Sequence, residues 1–166
     1  MKIIECEQGS PAWVQARLGI PTASSFDRIV TPRTHKISAS ADKYLFEKCT
    51  EWALGQPVVD VTTAFMERGK GPLEDQAIAT YAFDNRAEVD RVGFLTTDDG
   101  RYGCSPDGLI GTKGAIEVKC LSAVNHVGAL LGSADGYSLQ IQGQMLIGDL
   151  DWVDRMYFNP VLPIVV

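Results

Sequence analysis

Nowhere in its 166 residues does the sequence hold an uninterrupted apolar run of the roughly 20 residues that a membrane-spanning helix needs. The N-terminus, MKIIECEQGS, lacks the apolar core of a signal peptide, which points to a cytoplasmic protein with no membrane partner. Four cysteines are present (Cys6, Cys49, Cys104 and Cys120), none in a CxxC pair, so neither a zinc site nor a disulfide framework is expected. They are expected to act as small buried hydrophobes. Histidine is scarcer: His35 and His126 are the full complement, and a surface role is expected for both. Basic residues are also in deficit, 15 Lys/Arg against 21 Asp/Glu, for a net charge of −6.

That deficit argues against a broadly basic nucleic-acid footprint. Its distribution is uneven. Residues 1–50 hold seven Lys/Arg against five Asp/Glu, and the rest of the chain holds eight against sixteen. A local basic channel is therefore compatible with the total, and acidic residues that bind a cation would have their charge inverted by it. The remaining composition, 45% hydrophobic and 22% charged, is that of an ordinary globular chain, and its length fits one domain over residues 1–166 with a core of its own.

Along the chain, Ser10-Pro11 before AWVQARLG predicts a short helix with Ser as N-cap, Pro at the first helical position and Gly19 as the stop. A second helix is expected from Thr22 to before Thr31-Pro32, and a third from about Ser38 to Leu54, stopped by Gly55. Ala77, Ile78 and Tyr81 recur at helical spacing within residues 74–83. The pattern then changes: RVGFLTT, DDG and RYGCS read as a hairpin, and SPDG leads through LIG and TKG into AIEVKC. Together they predict an antiparallel meander of three or four short strands. Residues 122–132 and 135–147 are expected to be helical, and 152–158 and 162–166 to be strands. The order suggests an α/β sandwich around a mixed sheet.

The strongest chemical signal is CSPDGLIGTKGAIEVKC. Alternation along AIEVKC turns Ile116, Val118 and Cys120 to one face and Glu117 and Lys119 together to the other. Asp107, ten residues before Glu117, begins the preceding strand, and a hairpin brings the two carboxylates opposite each other. Two carboxylates are what a hard divalent cation such as magnesium takes, together with water and phosphate oxygens. An ammonium beside them could orient or deprotonate a water, or steady charge growing on phosphorus. Read alone, the same residues also describe a surface hairpin with a Glu–Lys pair.

SPDG with IEVKC resembles the PD-(D/E)xK nuclease signature and, more narrowly, that of the lambda exonuclease family, the YqaJ-type viral recombinases. WVQARLGIPTASS, ERGKGPLEDQAIATY and YSLQIQGQM resemble further segments of the family in the same order, so the resemblance covers nearly the whole chain. It implies a restriction-endonuclease-like α/β fold, a central mixed sheet flanked by helices. Residue by residue, it implies Asp107, Glu117, Glu74 and the carbonyl of Val118 as ligands of Mg2+, which Mn2+ could replace, and Lys119 as the catalytic lysine. Arg17 and Ser24 are implied to hold a phosphate at the DNA end, Arg33 to probe the groove, and Tyr137 and Gln140 to flank the active site. Arg17 also suits this role by its planar fork, and Ser24 by its place in TASS, where a helix opens. A capping Ser24 and solvated Arg17 and Glu74 are the plainer readings of the same residues.

The implied activity is hydrolysis of linear double-stranded DNA from 5′ ends in phage-type recombination, inside a bacterial host cell. The implied partners are a phage single-strand annealing protein and further copies of the chain in a trimeric ring. The turn before Glu74 is one residue longer than in lambda exonuclease. The family continues through a further strand and helix beyond the point matching PVLPIVV. Two rival readings stand beside this one. One is another PD-(D/E)xK enzyme, either an endonuclease or a Cas4-like nuclease, although the scattered cysteines do not form the cluster that Cas4 requires. The other is a nuclease fold that has lost catalysis and binds DNA ends.

Overall fold

The computed structural model describes residues 1–58, 71–133 and 136–166. The glycine-rich turn expected before Glu74 falls largely on residues outside that set, as does the expected helix start at 135. Strands β1 (Lys2–Ile4), β2 (Phe94–Thr96) and β3 (Gly103–Cys104) form an antiparallel sheet in that order. Strands β4 (Gly108–Ile110), β5 (Gly114–Cys120) and β6 (Trp152–Phe158) form a second sheet. In it, β4 runs antiparallel to β5 and β5 parallel to β6. The expected meander is thus corrected. Its two hairpins belong to different sheets, because Asp90, rather than the first hairpin, pairs with Leu109 on the outer edge of β4. The expected strand over 162–166 reduces to one bridge, Val165 to Tyr157.

The helices are α1 (Pro11–Ala16), α2 (Ala41–Leu54), α3 (Pro72–Asn85), α4 (Ala123–Leu130) and α5 (Ser138–Gly148). Ser10 caps α1 by accepting from the Trp13 N–H, with Pro11 in the first turn where no N–H is missed. Gly55 ends α2 in the left-handed region at φ 67°, which a glycine enters without a Cβ penalty. The helix expected from Thr22 is instead a 3-10 helix, Ala23–Arg28, with Ser25 off helical geometry. It is held from outside: Tyr44 of α2 accepts from the Thr22 N–H at 3.1 Å, and Arg28 forks onto Glu47 at 2.6 and 2.9 Å.

Strand β5 separates two cores. Ile116 and Val118 pack with Ala77, Ile78 and Tyr81 of α3 and with Met156 and Phe158. Ala115 faces the other way, into a cluster with Ala23, Leu95, Cys104 and Ile147. The second sheet is therefore covered by α3 on one face and α5 on the other, and the residues of β5 that point to α5 carry the site. Helix α5 comes close because Gly143 has no side chain: a Cβ there would lie 2.7 Å from the Phe26 ring.

Candidate active site

Alternation along β5 does what the sequence predicts. Ile116, Val118 and the half-buried Cys120 pack toward α3, while Glu117 and Lys119 face α5. Glu117 is 1% exposed, an unusual position for a carboxylate, and every oxygen is engaged. Its Oε1 accepts from Lys119 Nζ at 2.6 Å and from Gln140 Nε2 at 2.7 Å, and its Oε2 from Gln144 Nε2 at 2.6 Å. The Lys119 ammonium also donates to Gln140 Oε1 at 3.0 Å and sits 4.5 Å from the centre of the Tyr137 ring. Gln140 and Gln144 are one helical turn apart, so a single face of α5 grips both oxygens of Glu117.

Asp107 is fully buried in the turn that enters β4. Its N–H donates to the Ile116 carbonyl at 3.0 Å, and its Oδ2 accepts from the Val118 N–H at 2.7 Å, extending the hairpin by one side-chain rung. Asp107 and Glu117 thus flank the end of the β4–β5 ladder. The carbonyl of Val118 is directed to the same edge as its N–H, toward Asp107. The turn is clamped from the N-terminal segment: Gln8 donates to the Pro106 carbonyl at 2.9 Å, and Trp13 Nε1 donates to Ser105 Oγ at 2.9 Å. Glu74, in the first turn of α3, accepts from Arg91 at 2.8 Å, and the same guanidinium nitrogen donates to the Asp107 carbonyl at 3.1 Å. Arg91 also pairs with Asp75.

A cavity of about 910 Å³ runs along this surface, lined by Arg17, Ser24, Glu74, Glu117, Val118, Lys119, Tyr137 and Gln140 among others. Asp107 lies behind its wall. Arg33 is not brought to it; it is exposed in a turn closed by Val30 pairing with Ile37. Of the cavity's cations, Arg28 is forked to Glu47, Lys48 is paired with Glu51 at 2.6 Å and Lys119 with Glu117. Arg17 differs. Among the described residues it has no ion-pair partner, and its guanidinium lies 4.0 Å from the centre of the Trp13 ring and 5.6 Å from that of Phe94. Burial pushes its pKa down to about 10, partly offset by Tyr44, Glu51 and Cys104, so it stays charged at neutral pH. Ser24 Oγ sits 3.3 Å from Thr22 Oγ1 in the same wall.

Two residues of this site escaped the sequence reading: Arg91 and Gln144. Gln144 has a signal, its i,i+4 spacing from Gln140 within a predicted helix. Arg91 has none, since its partners lie 16 and 17 residues away. Burial, reinforced by the negative charge of Glu117, pushes the Cys104 thiol up to about 12. The expectation of buried cysteines holds for Cys104 alone; Cys49 is exposed on α2, and Cys6, in the loop after β1, and Cys120, at the end of β5, are half-buried. His126, expected at the surface, is fully buried, with its Nε2 2.7 Å from the Pro163 carbonyl.

Among the described residues, no three His, Cys, Asp or Glu side chains already surround a common point as metal ligands. The donor chemistry still fits a hard divalent cation, because magnesium needs one or two carboxylates with the rest of its shell from water and phosphate. Asp107, Glu117 and the Val118 carbonyl are oxygen donors at one hairpin end.

A family model, that of the YqaJ-like viral recombinase domain, matches residues 12–151, a span that contains Arg17, Ser24, Glu74, Asp107, Glu117, Lys119, Tyr137 and Gln140. The chain belongs to this family. Its YqaJ-like domain is similar to the crystal structure of LHK-Exo, an alkaline exonuclease from Laribacter hongkongensis. The match is at 29% identity and a TM-score of 0.75, over 93% of this chain and 76% of that one. LHK-Exo in complex with dAMP matches with the same values, 29% identity and TM-score 0.75 over 93% and 76% of the two chains. A phage-related exonuclease from Haemophilus somnus 129PT, 17% identical with a TM-score of 0.60 over 83% and 67% of the two chains, shares the fold. No curated protein matches the domain. The mixed α/β architecture is thereby that of the restriction-endonuclease-like fold. Among the described residues, no helix is long and apolar enough to cross a membrane.

Proposed function

We propose that this YqaJ-like domain is a divalent-metal-dependent DNA exonuclease that hydrolyses linear double-stranded DNA from 5′ ends. The observation that carries the reading is the buried Glu117, bonded to Lys119 at 2.6 Å on a cavity wall, with Asp107 behind it at the same hairpin end. The likeness to an alkaline exonuclease, one structure of which holds the nucleotide dAMP, supports it. Asp107, Glu117, the Val118 carbonyl and Glu74 would hold Mg2+ or Mn2+. When bound, such a cation polarises a phosphate and lowers the pKa of water.

The chain's own groups do the rest. Lys119, fixed by Glu117, Gln140 and the Tyr137 ring, presents a compact positive charge that orients a water or offsets charge growing on phosphorus. Arg17 stacks on Trp13 with no ion-pair partner among the described residues and, with Ser24, would take the terminal 5′ phosphate and so fix which phosphodiester reaches Lys119. The exposed 3′ strand would pass to a phage single-strand annealing protein in recombination, with the domain assembled as a trimeric ring. The test is digestion of linear and closed circular duplex DNA with and without magnesium. Degradation of linear DNA alone, abolished by chelation, is expected. Cutting of the circle would make it an endonuclease, and binding of ends without cutting would make it an inactive end-binding fold.

A further inference from the structure

We infer that Gln144 is a positioning residue that fixes the Glu117 carboxylate for cation binding, a role that rests on the nuclease reading. Gln144 is 1% exposed, and its Nε2 donates to Glu117 Oε2 at 2.6 Å. A carboxylate only accepts, so the amide must turn its NH2 to Glu117 and its oxygen the other way. That oxygen, Oε1, is buried and has no hydrogen-bond partner among the described residues.

A buried acceptor without a donor is a cost that packing does not require, because Met or Leu would fill the same space without it. The same helix shows the contrast. Gln140 is satisfied at both ends, donating to Glu117 and accepting from Lys119, while the exposed Gln142 points away from Glu117. Gln140 bonds Oε1 of Glu117, the oxygen already held by Lys119. Gln144 is the bond on Oε2, so without it the carboxylate can rotate about its last torsion. Gly143 lets α5 pack closely on Ala23 and Phe26 of the 3-10 helix, and from that position the glutamine side chain meets Glu117 at 2.6 Å.

Three variants test this: Gln144→Met, which keeps volume and removes the amide; Gln144→Asn, which keeps the amide and loses reach; and Gln142→Met as the control on the exposed face. Calcium binding is measured by calorimetry without DNA, and hydrolysis of linear duplex in magnesium is measured separately. Loss of an orienting partner of a ligand costs about 10–100-fold in metal affinity or activity. Gln144→Met and Gln144→Asn are each expected to bind calcium at least about tenfold more weakly, with a matching fall in kcat, an unchanged KM for DNA, and no effect of Gln142→Met. Either Gln144 variant binding calcium within about twofold of wild type overturns the inference; should Gln144→Met fail to fold, Gln144→Asn decides. Wild type that binds calcium yet cuts no DNA overturns the nuclease reading alone, and calorimetry still judges Gln144. Wild type that binds no divalent cation overturns both.

Discussion

Lys119 and Arg17 are both cations of one cavity, and their surroundings assign them different work. Lys119 is held on three sides, by Glu117, Gln140 and the Tyr137 ring, so its charge has a fixed position. Lys119→Ala should lower kcat by at least about a hundredfold, the lower range for losing a positioned charge in a reaction of this kind, while calcium affinity stays near wild type. Lys119→Arg should not recover the rate, since a planar fork cannot occupy a point-charge site between a carboxylate and an amide; full turnover in that variant would remove Lys119 from the chemistry. Arg17 is held by ring faces and keeps its donors available. A charge-assisted phosphate contact is worth roughly 1.5–3 kcal/mol, on the order of ten- to a hundredfold in rate. Wild type should digest 5′-phosphorylated duplex faster than 5′-hydroxyl duplex by that factor, and Arg17→Ala should slow the phosphorylated substrate alone. Initial rates on both substrates at one salt concentration decide it, and equal slowing of the two ends the idea of a 5′-phosphate pocket. These residues were legible in the sequence because each sits in a local pattern: Glu117 and Lys119 in a two-residue alternation, Asp107 in a turn tetrapeptide. Gln144 was half legible, through its helical spacing. Arg91 and the burial of His126 were not, because both are set by chain segments far away in sequence.

At the scale of elements, the legible features were those with punctuation. Ser10-Pro11 and Gly55 mark helix ends by local stereochemistry, and both behave as predicted. The two hairpins were also found, but their assignment to separate sheets depends on Asp90 and β1, segments with no strand signature of their own. The 3-10 helix shows the limit most clearly. Its geometry comes from tertiary ties to α2, not from the TASS segment that begins it. The Arg28–Glu47 fork is one such tie, and it holds the Glu47 carboxyl below its ordinary value, first through the hydrogen bond from Arg28 and then through its charge. A depressed carboxylate contributes stability above the unfolded-state pKa, near 4.3, that is lost as pH falls through the folded-state value. Glu47→Gln should therefore lower Tm at pH 7, by an amount reflecting about 1 kcal/mol or less for a partly exposed pair. The gap from wild type should narrow as pH falls from about 5 toward 3. Thermal melts across that range check it; a gap that is constant with pH would mean that Glu47 acts through packing rather than charge.

Over the whole molecule, a net charge of −6 coexists with a site expected to receive DNA, and the layout of charge resolves the tension. Along the cavity the carboxylates Glu47, Glu51 and Glu117 are matched by Arg28, Lys48 and Lys119, and Glu74 by Arg91 beyond the lining, so with Asp27 set against Arg17 the wall carries no excess of positive charge. On the proposed reading, a wall of that kind would bind a phosphodiester poorly until a cation joined Asp107 and Glu117, which would couple substrate affinity to metal. The coupling has a consequence that can be measured without DNA. A cation that binds only the folded chain stabilises it by about 2.7 kcal/mol at a hundredfold excess over Kd. For a chain of this length that corresponds to a rise in Tm on the order of 5–10 °C. Calcium, which accepts the same oxygens with looser geometry, should produce that rise reversibly on chelation. Asp107→Asn keeps an oxygen to accept from the Val118 N–H and so preserves the hairpin rung, while removing the charge that a hard cation requires. Its Tm in chelator should stay close to wild type, and calcium should no longer raise it. A wild-type Tm indifferent to calcium, or a full rise retained in Asp107→Asn, would show that the cation, if it binds at all, is held by groups other than the end of the β4–β5 hairpin.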